Sequence, residues 1–258
     1  MKLLSTYAAN ASAAIRTSLM DRTNFFLNAA GMIVNDIFFL LLWYMFFAGF
    51  RRVGNWGLHD VALLLGLIML VVAISGVFFG GYRDMAATIL RGEIDALLTQ
   101  PKAVLPRLLG RESIATAWGD LFMGIWLLAT FANLTLRDIP LVAVCLAAGT
   151  VIYVSSAIVY ASLAFWFTGA RSFARDLTDF MLLFSSYPGS IYTGATKFVA
   201  YTVLPAGFIV LAPVTFLRTP SAQNFALIAA PAIVYGTLAL LIFNLGLRRY
   251  RQGKVSIG

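Results

Sequence analysis

Asn28, Asn35, Asp36 and Asp120 carry amide or carboxylate groups into long apolar stretches of this sequence. An ionised aspartate at the centre of a membrane helix costs roughly 2.5 to 3.5 kcal/mol on insertion scales, so Asp36 must face protein or water. Asn28 and Asn35 are seven residues apart and Asn35 adjoins Asp36, which makes one side of that segment polar. Two chemistries fit. One is the lining of a substrate pathway, where an acidic group suits a cationic or amphipathic solute. The other is an interhelical hydrogen bond or ion pair that fixes packing. Asp120 reads as a packing or interface group. Catalytic chemistry is poorly supplied: His59, beside Asp60, is the only histidine and Cys145 the only cysteine. Neither a zinc site of the usual N/S type nor a histidine-based dyad is supported, so no metal ligand and no catalytic residue is assigned. His59 reads as a solvated loop residue and Cys145 as a buried thiol. A membrane-embedded enzyme would need nucleophiles, bases or metal ligands converging at one depth, and these are scarce. A channel or an assembly protein stays compatible with the apolar stretches alone.

The elements that must position these groups follow from composition. Of 258 residues, 60% are hydrophobic and 12% charged, with a mean hydropathy of +0.86. A soluble domain carries about 25% charged residues, so no soluble domain fits. Charge-free runs at 61–82, 139–170, 180–196, 198–217 and 219–247 approach or exceed the roughly 20 residues that cross a bilayer as a helix. The run from Val61 to Val72 does not alternate apolar and polar, which excludes a membrane β-barrel strand there. The expected class is an all-α integral membrane protein, a single transmembrane domain over residues 1–258. The net charge of +8 belongs to residues flanking the apolar runs, where it sets orientation rather than binding nucleic acid.

Within residues 1–24, Leu4, Ala8, Ala11, Ile15 and Leu19 recur at helical spacing beside Lys2 and Arg16, which predicts an interfacial helix and not a cleaved signal. Spans are expected at about 25–47, 61–80, 113–134, 141–167 and 225–247. Gly76 and Gly80 in the second stand at the spacing that allows close helix packing. Residues 81–112 form the longest polar insertion, broken at Pro101, and a second polar loop holds Arg171, Arg175, Asp176 and Asp179. Residues 180–217 are ambiguous, with Lys197 between two apolar halves and Tyr187, Pro188, Pro205 and Pro213 as breakers.

Charge placement decides the parity. Six crossings with the N-terminus inside put 14 of the 19 basic residues inside and 5 outside, whereas seven give 11 and 8. The positive-inside rule favours six, with both termini cytoplasmic. One half of 180–217 is then a re-entrant segment entering from outside, which is tolerated at membrane depth only when it packs on protein or lines water.

The segment Ile89-Leu90-Arg91-Gly92-Glu93-Ile94-Asp95-Ala96-Leu97-Leu98-Thr99-Gln100-Pro101, with Tyr187-Pro188 and the pair Leu204-Pro205 and Ala212-Pro213, resembles the membrane subunits of type 2 ABC exporters, in a small six-span branch. The resemblance covers essentially the whole chain. It implies a permease half, resident in the inner (plasma) membrane, that pairs with a second permease subunit, identical or homologous, and with a cytoplasmic ATPase subunit that holds ATP and Mg. The chain has no G-x-x-x-x-G-K-[S/T], since Gly253-Lys254 is followed by Val255, so ATP is expected only in the partner. The family's loop between spans two and three is a coupling helix gripped by the ATPase. On this chain that assigns Arg91, Glu93 and Asp95 to the ATPase and Leu90, Ile94, Leu97 and Leu98 to the bundle, with Gly92 either a flaw in the helix or a point of close approach. Export of an amphipathic or hydrophobic substrate (a drug, an organic cation or a lipid-like molecule) is what the resemblance implies, with Asn28, Asn35 and Asp36 as its pathway.

Overall fold

The computed structural model describes residues 2–50 and 52–253. Arg51 and Lys254, two of the basic residues used for orientation, lie outside the described residues, as do the side chains of Lys2 and Leu4. Every element is helical, and among the described residues the only extended pairing is an isolated bridge between Val53 and Trp56. In order, the helices are α1 (Lys2–Ser18), α2 (Arg22–Gly49), α3 (Leu58–Phe79), α4 (Met85–Leu90), α5 (Asp95–Leu98), α6 (Val104–Leu109), α7 (Thr116–Phe131), α8 (Ile139–Ser162), α9 (Ala170–Ser185), α10 (Gly194–Tyr201), α11 (Ala212–Arg218) and α12 (Ala222–Arg251). Four stretches are long and apolar enough to cross a membrane: Arg22–Gly49, Leu58–Leu90, Leu136–Phe165 and Ala222–Arg251. The apolar helix α7 has 16 residues, about 24 Å at 1.5 Å per residue.

Helix starts follow local chemistry. Asp21 accepts the Asn24 amide at 3.0 Å to begin α2, and Ser221 accepts the Asn224 amide at 3.1 Å to begin α12. The core is α3, gripped by α7 and α8. At Gly66 a methyl group would lie 2.4 Å from Leu128 Cδ2, and at Gly124 it would lie 2.8 Å from Leu70 Cγ, so the two helices meet where each lacks a side chain. The α2 backbone reaches α7 the same way, since a methyl group on Gly119 would fall 2.5 Å from the Ala29 carbonyl oxygen.

Two ends of the bundle differ in character. The loop end gathers α1, α4 to α6 and the last turns of α12. Tyr7 on α1 donates to the Phe78 carbonyl at 2.6 Å and stacks on Phe79 at 5.5 Å. Burial pushes the Tyr7 phenol up to about 12. The line that α1 turns inward is Tyr7, Ala11 and Ala14, while Ala8 and Leu19 are exposed. This corrects the expected stripe by about one residue, because the small Ala11 and Ala14 let the helix lie close and Tyr7 finds a backbone acceptor. The far end gathers residues 52–57, 132–138 and both ends of 186–221. There Ser190 donates to the Val53 carbonyl at 3.2 Å, Arg218 pairs with Asp60 at 2.6 Å and stands 4.5 Å over the Trp56 ring. His59, expected to be solvated, is exposed but lies 2.8 Å from the Phe131 carbonyl oxygen through Nδ1, tying α3 to α7.

Two expectations need correcting. Residues 171–179 are not a loop: they form the first half of α9, whose Ala174, Met181 and Ser185 are buried while Arg171, Arg175 and Asp179 are exposed. Charge density hid a helix whose two faces differ sharply. The segment 81–112 holds no single coupling helix but three short ones separated by turns.

Between α9 and α12 the chain turns at Pro188, forms α10, then passes through a π-helical turn at Gly207–Leu211 into α11. Pro188, Pro205 and Pro213 are buried and Tyr187 half-buried. Along α8, Tyr160 donates to the Val203 carbonyl, Gly149 leaves room for the Ile209 carbonyl and the Cys145 thiol points at the Pro213 carbonyl, 3.9 Å away. Residues 203–213 therefore run antiparallel to α8 over most of its length.

Candidate functional site

The loop end is built on Ile94. This side chain is fully buried, Leu90, Leu97 and Leu98 are half-buried beside it, and Arg91, Glu93 and Asp95 are exposed. Gly92 is what permits the arrangement. Its φ of +71° puts it in the left-handed region that ends α4 and turns the chain back, so the glycine is neither a flaw within a helix nor merely a contact point. The turn is tied on both sides. Arg91 Nε lies 2.7 Å from Glu93 Oε1, Arg91 reaches Asp84 at 3.8 Å, and Arg111 reaches the other oxygen of Glu93 at 3.7 Å. Arg107 donates to the Leu97 carbonyl at 2.8 Å. A methyl group on Gly92 would stand 3.6 Å from the Tyr250 hydroxyl and 3.9 Å from Asp95 Oδ2, which places the end of α12 against this same turn. Glu112, beside Asp84, has its carboxyl pushed up by burial first and by the Asp84 charge second. The result is a small charged knob whose apolar root is set into the bundle.

Above the knob lies a cavity of about 410 Å³ between α2, α3, α7, α8 and α9. Tyr82 and Tyr153 meet edge to face at 5.8 Å on its wall. Its charged lining is Arg83, Asp84, Asp120, Arg171, Arg175 and Asp179, three cations and three carboxylates. Arg171, Arg175, Thr178, Asp179 and Leu182 all line it from α9, at positions i, i+4, i+7, i+8 and i+11. An aromatic pair within a ring of both charge signs suits a solute that has an apolar body and a polar or charged group. Among the described residues no cluster of His, Cys, Asp or Glu could hold a metal ion.

The three residues expected to line a pathway are not brought together. Asp36 is buried, 4% exposed, on the side of α2 that packs against α7. Asn28 and Asn35 are exposed on α2, and Asn28 donates to the Asn24 carbonyl of its own helix at 2.7 Å. Asp120, read from sequence as a packing group, lines the cavity. Sequence reasoning missed Tyr82, Arg83, Tyr153 and the α9 charges as a group. The signal for α9 was present in its i, i+4, i+8 spacing; the tyrosines carried none.

The family model described as ABC-2 family transporter protein matches residues 33–253. No curated protein and no solved structure matches the chain.

Proposed function

The chain belongs to the ABC-2 family of transporter membrane proteins, and from that premise we propose that it is the permease subunit of an ATP-driven exporter, moving an amphipathic or hydrophobic substrate by alternating access. The observation that carries this reading is the knob around Ile94: charges held in fixed register on an apolar root give a separate ATPase something to push that cannot slip. ATP and Mg belong to that ATPase. In this reading six helices cross the membrane, α2, α3, α7, α8, α9 and α12, with both termini on the ATPase side. Residues 186–218 are re-entrant: their two ends meet the far-end loop at Val53 and Asp60, while Val203 accepts from Tyr160 near the loop end of α8.

The substrate enters the cavity beside Tyr82 and Tyr153, and the Arg218, Asp60 and Trp56 latch keeps the far end shut in this state. The second permease subunit covers the face of α2 that exposes Asn28 and Asn35, where two amides would otherwise point at hydrocarbon. The test is co-expression with the ATPase, followed by Glu93→Gln and Asp95→Asn. Expected is an ATPase that copurifies with the chain and a loss of transport-linked ATP turnover of about tenfold or more, the scale of an interface charge pair. A complex that never forms, or turnover unchanged in both variants, overturns the reading.

A further inference from the structure

A groove of about 630 Å³ runs between the start of α6 and the last turns of α12, on the opposite side of Lys102 from the helix α1. Its lower wall is apolar: Leu240, Leu241 and Leu245 are each more than half exposed on α12, facing Val104 and Leu105. Its upper rim is cationic, formed by Lys102, Arg248 and Arg251, all exposed. Among the described residues, ion pairs engage Arg91, Arg111 and Arg218 and none engages these three. Leu241, Leu245 and Arg248 stand at i, i+4 and i+7 on one face of α12. The change from hydrocarbon-like Leu245 to cationic Arg248 therefore takes three residues, about 5 Å of helix at 1.5 Å per residue, within the 5 to 10 Å to which an apolar face sinks below the headgroups.

We propose that this groove binds one anionic phospholipid, its acyl chains along the leucines of α12 and its phosphate between Lys102, Arg248 and Arg251. Charge complementarity selects the occupant: three cations that no carboxylate among the described residues pairs with draw an anion, and the leucine wall below them requires that the anion carry a tail. The neighbouring groove of about 540 Å³ under α1 does not compete, although it shares Lys102. Its Arg107 and Arg111 already serve the Leu97 carbonyl and Glu93, and its own lining includes Glu112. The proposal rests on the membrane-embedded reading of the chain and places the lipid beside the loop-end knob, since Lys102 directly follows the segment Ile89 to Pro101.

The full-length chain, purified in detergent, is titrated with phosphatidylglycerol or phosphatidylcholine and the bound lipid counted by native mass spectrometry. Phosphatidylglycerol is retained in preference to phosphatidylcholine, and inorganic phosphate at millimolar concentration does not displace it. The triple variant Lys102→Gln, Arg248→Gln, Arg251→Gln weakens phosphatidylglycerol binding about a hundredfold, roughly fivefold for each charge near a membrane surface. Lys102→Arg keeps binding, and the control Arg16→Gln with Arg137→Gln leaves it unchanged. Equal retention of the two lipids, equal loss in triple variant and control, or displacement by phosphate overturns the proposal. So does a triple variant that keeps the lipid but loses the ATPase, since the surface would then be a protein dock. Copurification of the ATPase with the wild-type chain is read in the same samples, so the permease reading and the lipid site fail separately.

Discussion

Helix α3 and helix α2 both pack on α7 and live in opposite surroundings. The most apolar stretch of the α3 span is 83% buried and that of α2 only 11%, and α3 is the more apolar of the two. In water that order would follow from the hydrophobic effect alone; in lipid, apolarity costs nothing on either side and does not sort helices. Size does the sorting. Gly66 and Gly76 on α3 meet Leu128 and Ala117 on α7, with Gly124 answering from the other side. The outward face of α2 carries Phe26, Phe38, Tyr44 and Met45, all more than 60% exposed, which cannot enter such a seam. The part of α2 that approaches closely faces Gly119 with Ala29 and Met32, and the buried Asp36 lies one turn further along α2.

The largest effect that would break this contrast is at Gly81, which continues α3 into the loop end. A methyl group there would sit 1.8 Å from the Leu108 carbonyl oxygen, and backbone cannot yield as a side chain can. Gly81→Ala is expected to cost on the order of 3 kcal/mol, read as a lowered Tm and lost monodisperse protein in detergent. Next comes a matched pair: Leu64→Ala in α3, at a fully buried position, costs about 2 kcal/mol through the cavity it leaves, while Leu42→Ala on the open face of α2 costs less than about 0.5 kcal/mol in the isolated chain. Equal losses in the two would show that size does not separate the helices.

An effect smaller than that of Leu64, and one that pH controls, is at Tyr7, which fixes α1 to the end of α3. Its phenol ionises only near 12 in the folded chain, above its value of about 10 when unfolded. A raised folded pKa means that this contribution is complete below about pH 10. It is lost as pH climbs through the folded value, because a phenolate cannot donate to the Phe78 carbonyl. Protease cleavage of α1 is expected to rise between pH 10 and 12 in the wild type. Tyr7→Phe, which loses about 1 kcal/mol at neutral pH, is expected to remove the pH response.

How much of this could be read beforehand depended on whether the signal was local. Long apolar runs with flanking charge marked the helices at 22–49, 58–90, 136–165 and 222–251, because crossing a bilayer is a demand on each segment by itself. The run Ile89 to Pro101 marked the loop end, and its charges are exposed and its Ile94 buried as their types suggest. Three things were not local. Gly92 could be placed in a helix as easily as at its end, and only its positive φ separates the two. Asp36 and Asp120 carry the same group in the same kind of segment. Which of them lines the cavity depends on where α8 and α9 pack, and no residue in α2 or α7 records that. The charges of α9 read as solvated loop because their density outweighed their spacing.

Arg218 lying over Trp56 has an optical consequence. The indole is buried and its face is covered by a cation that belongs to a different segment, the last turn of α11. Any motion that parts α11 from the first far-end loop strips the guanidinium from the ring and admits water to it. Trp56 is one of five tryptophans, and with the other four replaced by phenylalanine its emission would shift to the red as water reaches the uncovered indole, with no label attached.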